Sequence, residues 1–223
     1  MSTRRRDFLS ALGVGAVAAA AGSPLSASDR NPRLPAPVSD KWDMTWVERI
    51  KGKHRAVFDS PEVHDGVAMF RAALWRDQVK EVYGVERSQT SPVLVIRHSA
   101  IPLAMKGAYW ERFEAGKELK MKNGKKWRID NPIEAAAPDA KPPWSDYNLT
   151  SFIAQGGIVL ACNLAFGQVV SQYRTEDKKI KRTSAEARAM ALADLIPGVI
   201  LQPSGFFAVV RAQEEGCSFM MGS

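Results

Sequence analysis

Cys162 closes the apolar run Ile158-Val159-Leu160-Ala161 and stands just ahead of a helical stretch that begins near Leu164. A cysteine at the amino end of a helix meets free backbone N–H groups and a partial positive charge, and both favour the thiolate. That is a nucleophile's setting; it is equally the setting of a buried cysteine that serves as a small hydrophobe. Cys217 lies between a helical stretch and a weak strand, where its expected role is core filling. A Cys162–Cys217 disulfide requires Cα atoms within about 7 Å of each other. Two cysteines exclude a disulfide-stapled mini-fold and any four-cysteine zinc or iron–sulfur site built from this chain alone. His98 follows Val95-Ile96-Arg97 directly, at a strand end, where an imidazole serves as base, ligand or pH-sensitive donor, or simply bonds the nearby loop. His54 and His64 are weaker candidates. Three scattered histidines without metal-ligand spacing predict no metal site. Ser204, in Pro203-Ser204-Gly205, lacks the surroundings of a nucleophile elbow and suits a helix N-cap. No phosphate-binding loop is present, and no cofactor is expected.

The elements that position these residues alternate. Short apolar runs, Arg55 to Phe58, Pro92 to Ile96, Ile158 to Cys162, Val199 to Leu201 and Ser218 to Met221, read as strands. Helical spacing covers Gly66 to Tyr83, Leu164 to Tyr173, Ser184 to Leu195 and Gly205 to Glu215. Strands apolar throughout, alternating with helices, imply an α/β fold whose parallel sheet carries helices on both faces. Ligands gather beyond the carboxyl ends of such strands, which selects Asp59, His98, Cys162 with Asn163, and Ser204. An insertion over residues 115–145 interrupts the pattern. Leu119 to Ile129 alternates around Asn123-Gly124, a hairpin signal. A three-residue loop, pairing Met121 with Trp127 and Leu119 with Ile129, puts the apolar residues on one face and the lysines on the other. A basic edge of this kind can meet an anionic partner or simply discourage strand pairing.

The N-terminus is an address. Arg4-Arg5-Arg6-Asp7-Phe8-Leu9, a mild apolar stretch to Ala21 and a small-residue zone ending at residue 27 have the organisation of a cleaved signal. The pair Arg5-Arg6 ahead of x-Phe-Leu resembles a twin-arginine (Tat) export signal, which implies passage through the Tat machinery, cleavage near residue 27 and a periplasmic location. Gly13 to Ala18 fits a dinucleotide-binding fingerprint only on paper, because no strand precedes it. Residues 28–50 then form an extended leader and residues 51–223 a single domain. Cleavage takes away three Arg and one Asp, so the net charge falls from +7 to +5. What remains of the basic excess is concentrated in the hairpin, which argues against nucleic acid as a partner. No 18-residue apolar run occurs, so no permanent membrane span is expected.

Four segments taken together resemble the DsrE/DsrF-like superfamily, in its exported branch: Phe58 to Glu62, Val95 to His98 with Ala100-Ile101-Pro102, Gly157 to Asn163, and Pro203 to Ala208. The resemblance covers roughly residues 52–221. It implies a three-layer α/β/α sandwich with a mainly parallel, five-stranded sheet, usually assembled into homo-oligomers. Members of the sulfur relay carry persulfide sulfur on a cysteine after a central strand, and Cys162 matches that position. The expectation is thiol or sulfur-carrier chemistry of sulfurtransferase-like type, with a small thiol or sulfur ligand: Cys162 as nucleophile, His98 as acid–base group, and Asp59, Asn163 and Ser204 around the pocket. The alternative is a non-enzymatic periplasmic ligand-binding or assembly module. A haem or metal adduct through His98 and Met105 is a third, weaker possibility. Export and the inserted hairpin both depart from the cytoplasmic relay proteins, and a shared fold does not by itself confer activity.

Overall fold

The computed structural model describes residues 37–223; Arg5, Arg6 and the cleavage zone lie outside the described residues. Five strands form one sheet: β1 (His54–Ser60), β2 (Thr90–Ile96), β5 (Ile158–Cys162), β6 (Val199–Gln202) and β7 (Ser218–Met221). Their order is β6-β5-β2-β1-β7 and every pairing is parallel. All five apolar runs are therefore strands, and the three-layer α/β/α reading holds. Pro92 sits in the central strand β2 at little cost. It lies opposite Ala56 of β1, but the ladder to β5 starts one residue later, at Val93 and Ile158. The missing N–H of proline thus falls just outside the second ladder.

Helices fill both faces unequally. On one face α1 (Val67–Tyr83), α5 (Asn163–Thr175) and α6 (Ser184–Ala193) bury Met69, Phe166 and Ala187 with Phe58, Leu94 and Val159 of the sheet. On the other, α7 (Gly205–Glu214) lays Ala208, Val209 and Ala212 over Val57, Val95 and Leu160. The second face is completed from the segment ahead of β1. Thr45–Arg49 is a 3-10 helix rather than extended chain, and its Trp46 is fully buried in that core. Three shorter helices, α2 (Gly107–Arg112), α3 (Ala115–Glu118) and α4 (Leu149–Ala154), have no counterpart in the sequence reading. Trp110, on α2, is buried and donates from Nε1 to the Pro102 carbonyl at 2.8 Å. Asn131 fastens the following loop by donating to the carbonyls of Leu103 and Met105 at 2.9 and 2.6 Å.

The hairpin forms in a different register from the one expected. β3 (Lys122–Asn123) pairs with β4 (Lys126–Trp127) through Lys122–Trp127 and Asn123–Lys126, leaving a two-residue loop, Gly124-Lys125. Gly124 takes φ 62° at the first loop position, a conformation that favours glycine and sets the short turn. Trp127 consequently faces outward, with the Lys122 ammonium 4.9 Å from its ring, and only Met121 and, in part, Leu119 turn inward. The apolar face expected of a three-residue loop does not form.

Candidate functional site

The helices after β5 and β6 leave on opposite faces of the sheet, α5 toward the larger core and α7 toward the smaller. In open parallel sheets the crevice at such a reversal is where ligands bind. Cys162 and Gln202 are register partners on its two sides. Cys162 is the N-cap of α5, and its Sγ accepts from the Ala165 amide at 3.5 Å. The residue is 6% exposed. Gln202 is buried beside it; its Nε2 donates to the Asp43 carbonyl at 2.8 Å, while its Oε1 has no partner. Asn163 opens α5 and accepts from Arg188 at 2.8 Å, tying α5 to α6. Ser204 accepts from the Phe207 amide at 3.1 Å and so caps α7.

Asp59 is not in the loop after β1. It lies within the strand, buried, and both carboxylate oxygens are taken by Arg97, which donates from Nε at 2.7 Å and from Nη2 at 2.8 Å. This fork geometry is the strong form of a carboxylate–guanidinium pair. The Asp59 hydrogen bond tightens the hold of Arg97 on its proton, and Cys162 is among the groups whose charge adds to that effect. Arg97 also explains Gly205: a Cβ there would come within 2.4 Å of the Arg97 Cβ. The cationic group associated with the thiol is thus Arg97, to which the sequence reading gave no role. The signal was its position: Val93, Val95 and Arg97 alternate onto the α7 face, and only a paired charge is tolerated at the end of such a row.

His98 goes elsewhere. It has φ 52°, its side chain is 69% exposed, and its Nδ1 lies 3.5 Å from Glu62 Oε1, at the end of β1. Met105 is buried in the larger core. An adduct joining these two side chains would need Met105 to leave that core. His54 stacks on Tyr83 at 5.2 Å. The two cysteines are free, and they sit at opposite ends of the sheet, Cys162 at the carboxyl end of β5 and Cys217 just before the amino end of β7. That separation rules out the disulfide. Burial pushes the Cys217 thiol up to about 11, which suits core filling.

No family model, curated protein or solved structure matches the chain. Among the described residues no helix is long and apolar enough to cross a membrane.

Proposed function

We propose that Cys162 is the working group of an exported, DsrE/DsrF-like thiol protein that accepts and passes on sulfane sulfur in the periplasm after Tat export. The carrying observation is the placement of its Sγ at the amino end of α5, facing the Ala165 amide, at the reversal point of the sheet. Arg97, held by Asp59, adds positive charge to the surroundings. Gln202 Oε1 offers a buried acceptor at the adjacent register position. In the reaction the Cys162 thiolate attacks the outer sulfur of a small persulfide, R–S–SH. The new bond is Cys162–S–SH, the S–S bond of the donor breaks, and R–S⁻ leaves with the electron pair; no net oxidation occurs. Arg97 stabilises negative charge on sulfur, while Asn163 and Ser204 hold the two helix starts in place.

The test is intact mass after exposure of the full chain to glutathione persulfide. Wild type and Cys217→Ser gain the mass of one sulfur atom, reversed by dithiothreitol; Cys162→Ser gains nothing. Uptake by Cys162→Ser sinks this reading.

An assembly role has its own support. Phe206 and Val210 project outward from α7, and Phe219, Met220 and Met221 are exposed along the unpaired edge strand β7. A second copy of the chain covering this surface would remove an edge and an apolar patch together. Sedimentation of wild type as a homo-oligomer, and of Phe206→Glu/Met220→Glu as a monomer, is expected. A monomeric wild type removes this reading.

A further inference from the structure

Among the described residues five non-glycine positions adopt positive φ: His64 (33°), Asp65 (53°), His98 (52°), Glu114 (48°) and Lys120 (57°). Backbone in this region is costly for residues with a Cβ, and such positions gather where a binding surface needs them. Three of the five, His64, Asp65 and Lys120, line one cavity of about 470 Å³. A fourth, His98, precedes Ser99 in its wall and pairs with Glu62 in the same wall. The cavity lies beyond the carboxyl ends of β1 and β2, on the side of the larger core, and Cys162 is not in its wall.

Its charges come in both signs. Glu62 and Asp65 stand on the β1 side, Lys120 and Lys122 on the side of the hairpin. The Ser99 hydroxyl donates to Glu62 and holds its carboxyl below the usual carboxylate range. A simple anion would meet the two carboxylates and a simple cation the two lysines. Among the described residues no three His, Cys, Asp or Glu side chains are gathered as metal ligands. The charge pattern matches a ligand that carries one charge of each sign a few bonds apart.

A second cavity of about 230 Å³ adjoins the first, with Ser99 and Leu119 in both walls. Its lining includes Ile101, Pro102, Ala115 and Val169, and three of its polar side chains are joined in a chain. The Tyr109 hydroxyl donates to Gln172 at 2.7 Å, and Gln172 donates to Glu118 at 3.2 Å. What this inner space mainly offers a ligand is apolar surface, with Gln168 at its side. An apolar cavity of roughly 150 Å³ in another protein admits benzene, so the inner space is large enough for a branched or aromatic side chain.

We propose that the two cavities form a binding site for a free α-amino acid with a bulky apolar side chain. The ammonium group meets Glu62 and Asp65, the carboxylate meets Lys120 and Lys122, and the side chain passes Leu119 into the inner cavity. The site is independent of the thiol reading. It is tested by calorimetric titration of the full chain with L-phenylalanine, L-phenylalanine amide, N-acetyl-L-phenylalanine and glycine. L-phenylalanine binds, and each analogue, lacking one charge or the side chain, binds at least tenfold more weakly. Asp65→Asn and Lys120→Asn remove a charge while keeping a residue that tolerates positive φ. Each weakens L-phenylalanine at least tenfold with the unfolding midpoint kept. Absence of heat with millimolar L-phenylalanine overturns the proposal. So does equal affinity for the amide or the acetylated form, or unchanged affinity in both variants.

Discussion

The two corners of the sheet's carboxyl edge are built on opposite terms. Around Cys162 the polar groups are drawn inward and, Gln202 Oε1 apart, paired: Asp59 with Arg97, Asn163 with Arg188, Ser204 with the start of α7. Around Ser99 and Lys120 the backbone itself is strained, the side chains of both signs stand exposed, and the space between them is open. The first corner gains stability from its polar residues; the second spends stability on its shape. Well-packed surroundings hold a reactive atom in one geometry, whereas a cavity held open against strain suits a ligand that arrives and leaves.

The contrast is sharpest in the cysteines, where an all-or-none result is expected. At neutral pH iodoacetamide labels Cys162 and spares Cys217, whose thiol burial has pushed up to about 11. Peptide mapping that finds Cys217 labelled first would break the assignment. Next comes the buried ion pair. Arg97→Ala leaves the Asp59 carboxylate buried without its partner and costs about 3 kcal/mol in urea unfolding, while Asp59→Asn/Arg97→Met together recover much of it. At the other corner the sign reverses. Lys120→Gly relieves a residue at φ 57° and raises stability by roughly 0.5–1 kcal/mol. Loss of stability there would show the strain to be offset locally. The smallest effect concerns acid. Glu62, Asp43, Glu176 and Glu186 are all held below their ordinary values of 4.5 (Glu) and 3.8 (Asp) by hydrogen bonds. Depressed carboxylates add stability that is whole above those values and is lost as pH falls through the folded ones. The urea midpoint therefore drops on acidification. Ser99→Ala returns Glu62 toward its ordinary value and shows a slightly smaller drop.

The strands were legible because a buried parallel strand is apolar along its whole length, and Val93 to Ile96 and Ile158 to Cys162 state this without help from elsewhere. The strand-end rule placed Cys162, Asn163 and Ser204 correctly at the carboxyl edge. It missed Arg97, whose local signal is only a charge ending the Val93–Val95 row; the partner that explains that charge, Asp59, lies 38 residues away in sequence. The hairpin register failed on the turn: the apolar pattern favours a three-residue loop over Asn123 to Lys125, whereas Asn123 pairs with Lys126 and the loop is the two residues Gly124-Lys125. The paired cavities were illegible for a further reason. Their walls come from the ends of β1 and β2, from α3 and from α5, and the φ angles that shape them are imposed by the loops they join. The 3-10 helix at Thr45–Arg49 was hidden by its polar, proline-bearing approach, although Trp46 is a residue that rarely lies idle ahead of a core.

The pairing of β7 with β1 bears on when this molecule can fold. Among the described residues β1 is the first strand and β7 the last, yet they are neighbours in the sheet. Until β7 has been made and has docked, one side of β1 has no partner and its apolar edge stays open. Contacts between segments so far apart in sequence are entropically late and slow to form. The sheet is completed only once β7 docks, so β1 stays open to wrong pairing until then. Loss of β7 would leave the strand that carries Asp59 as the new edge.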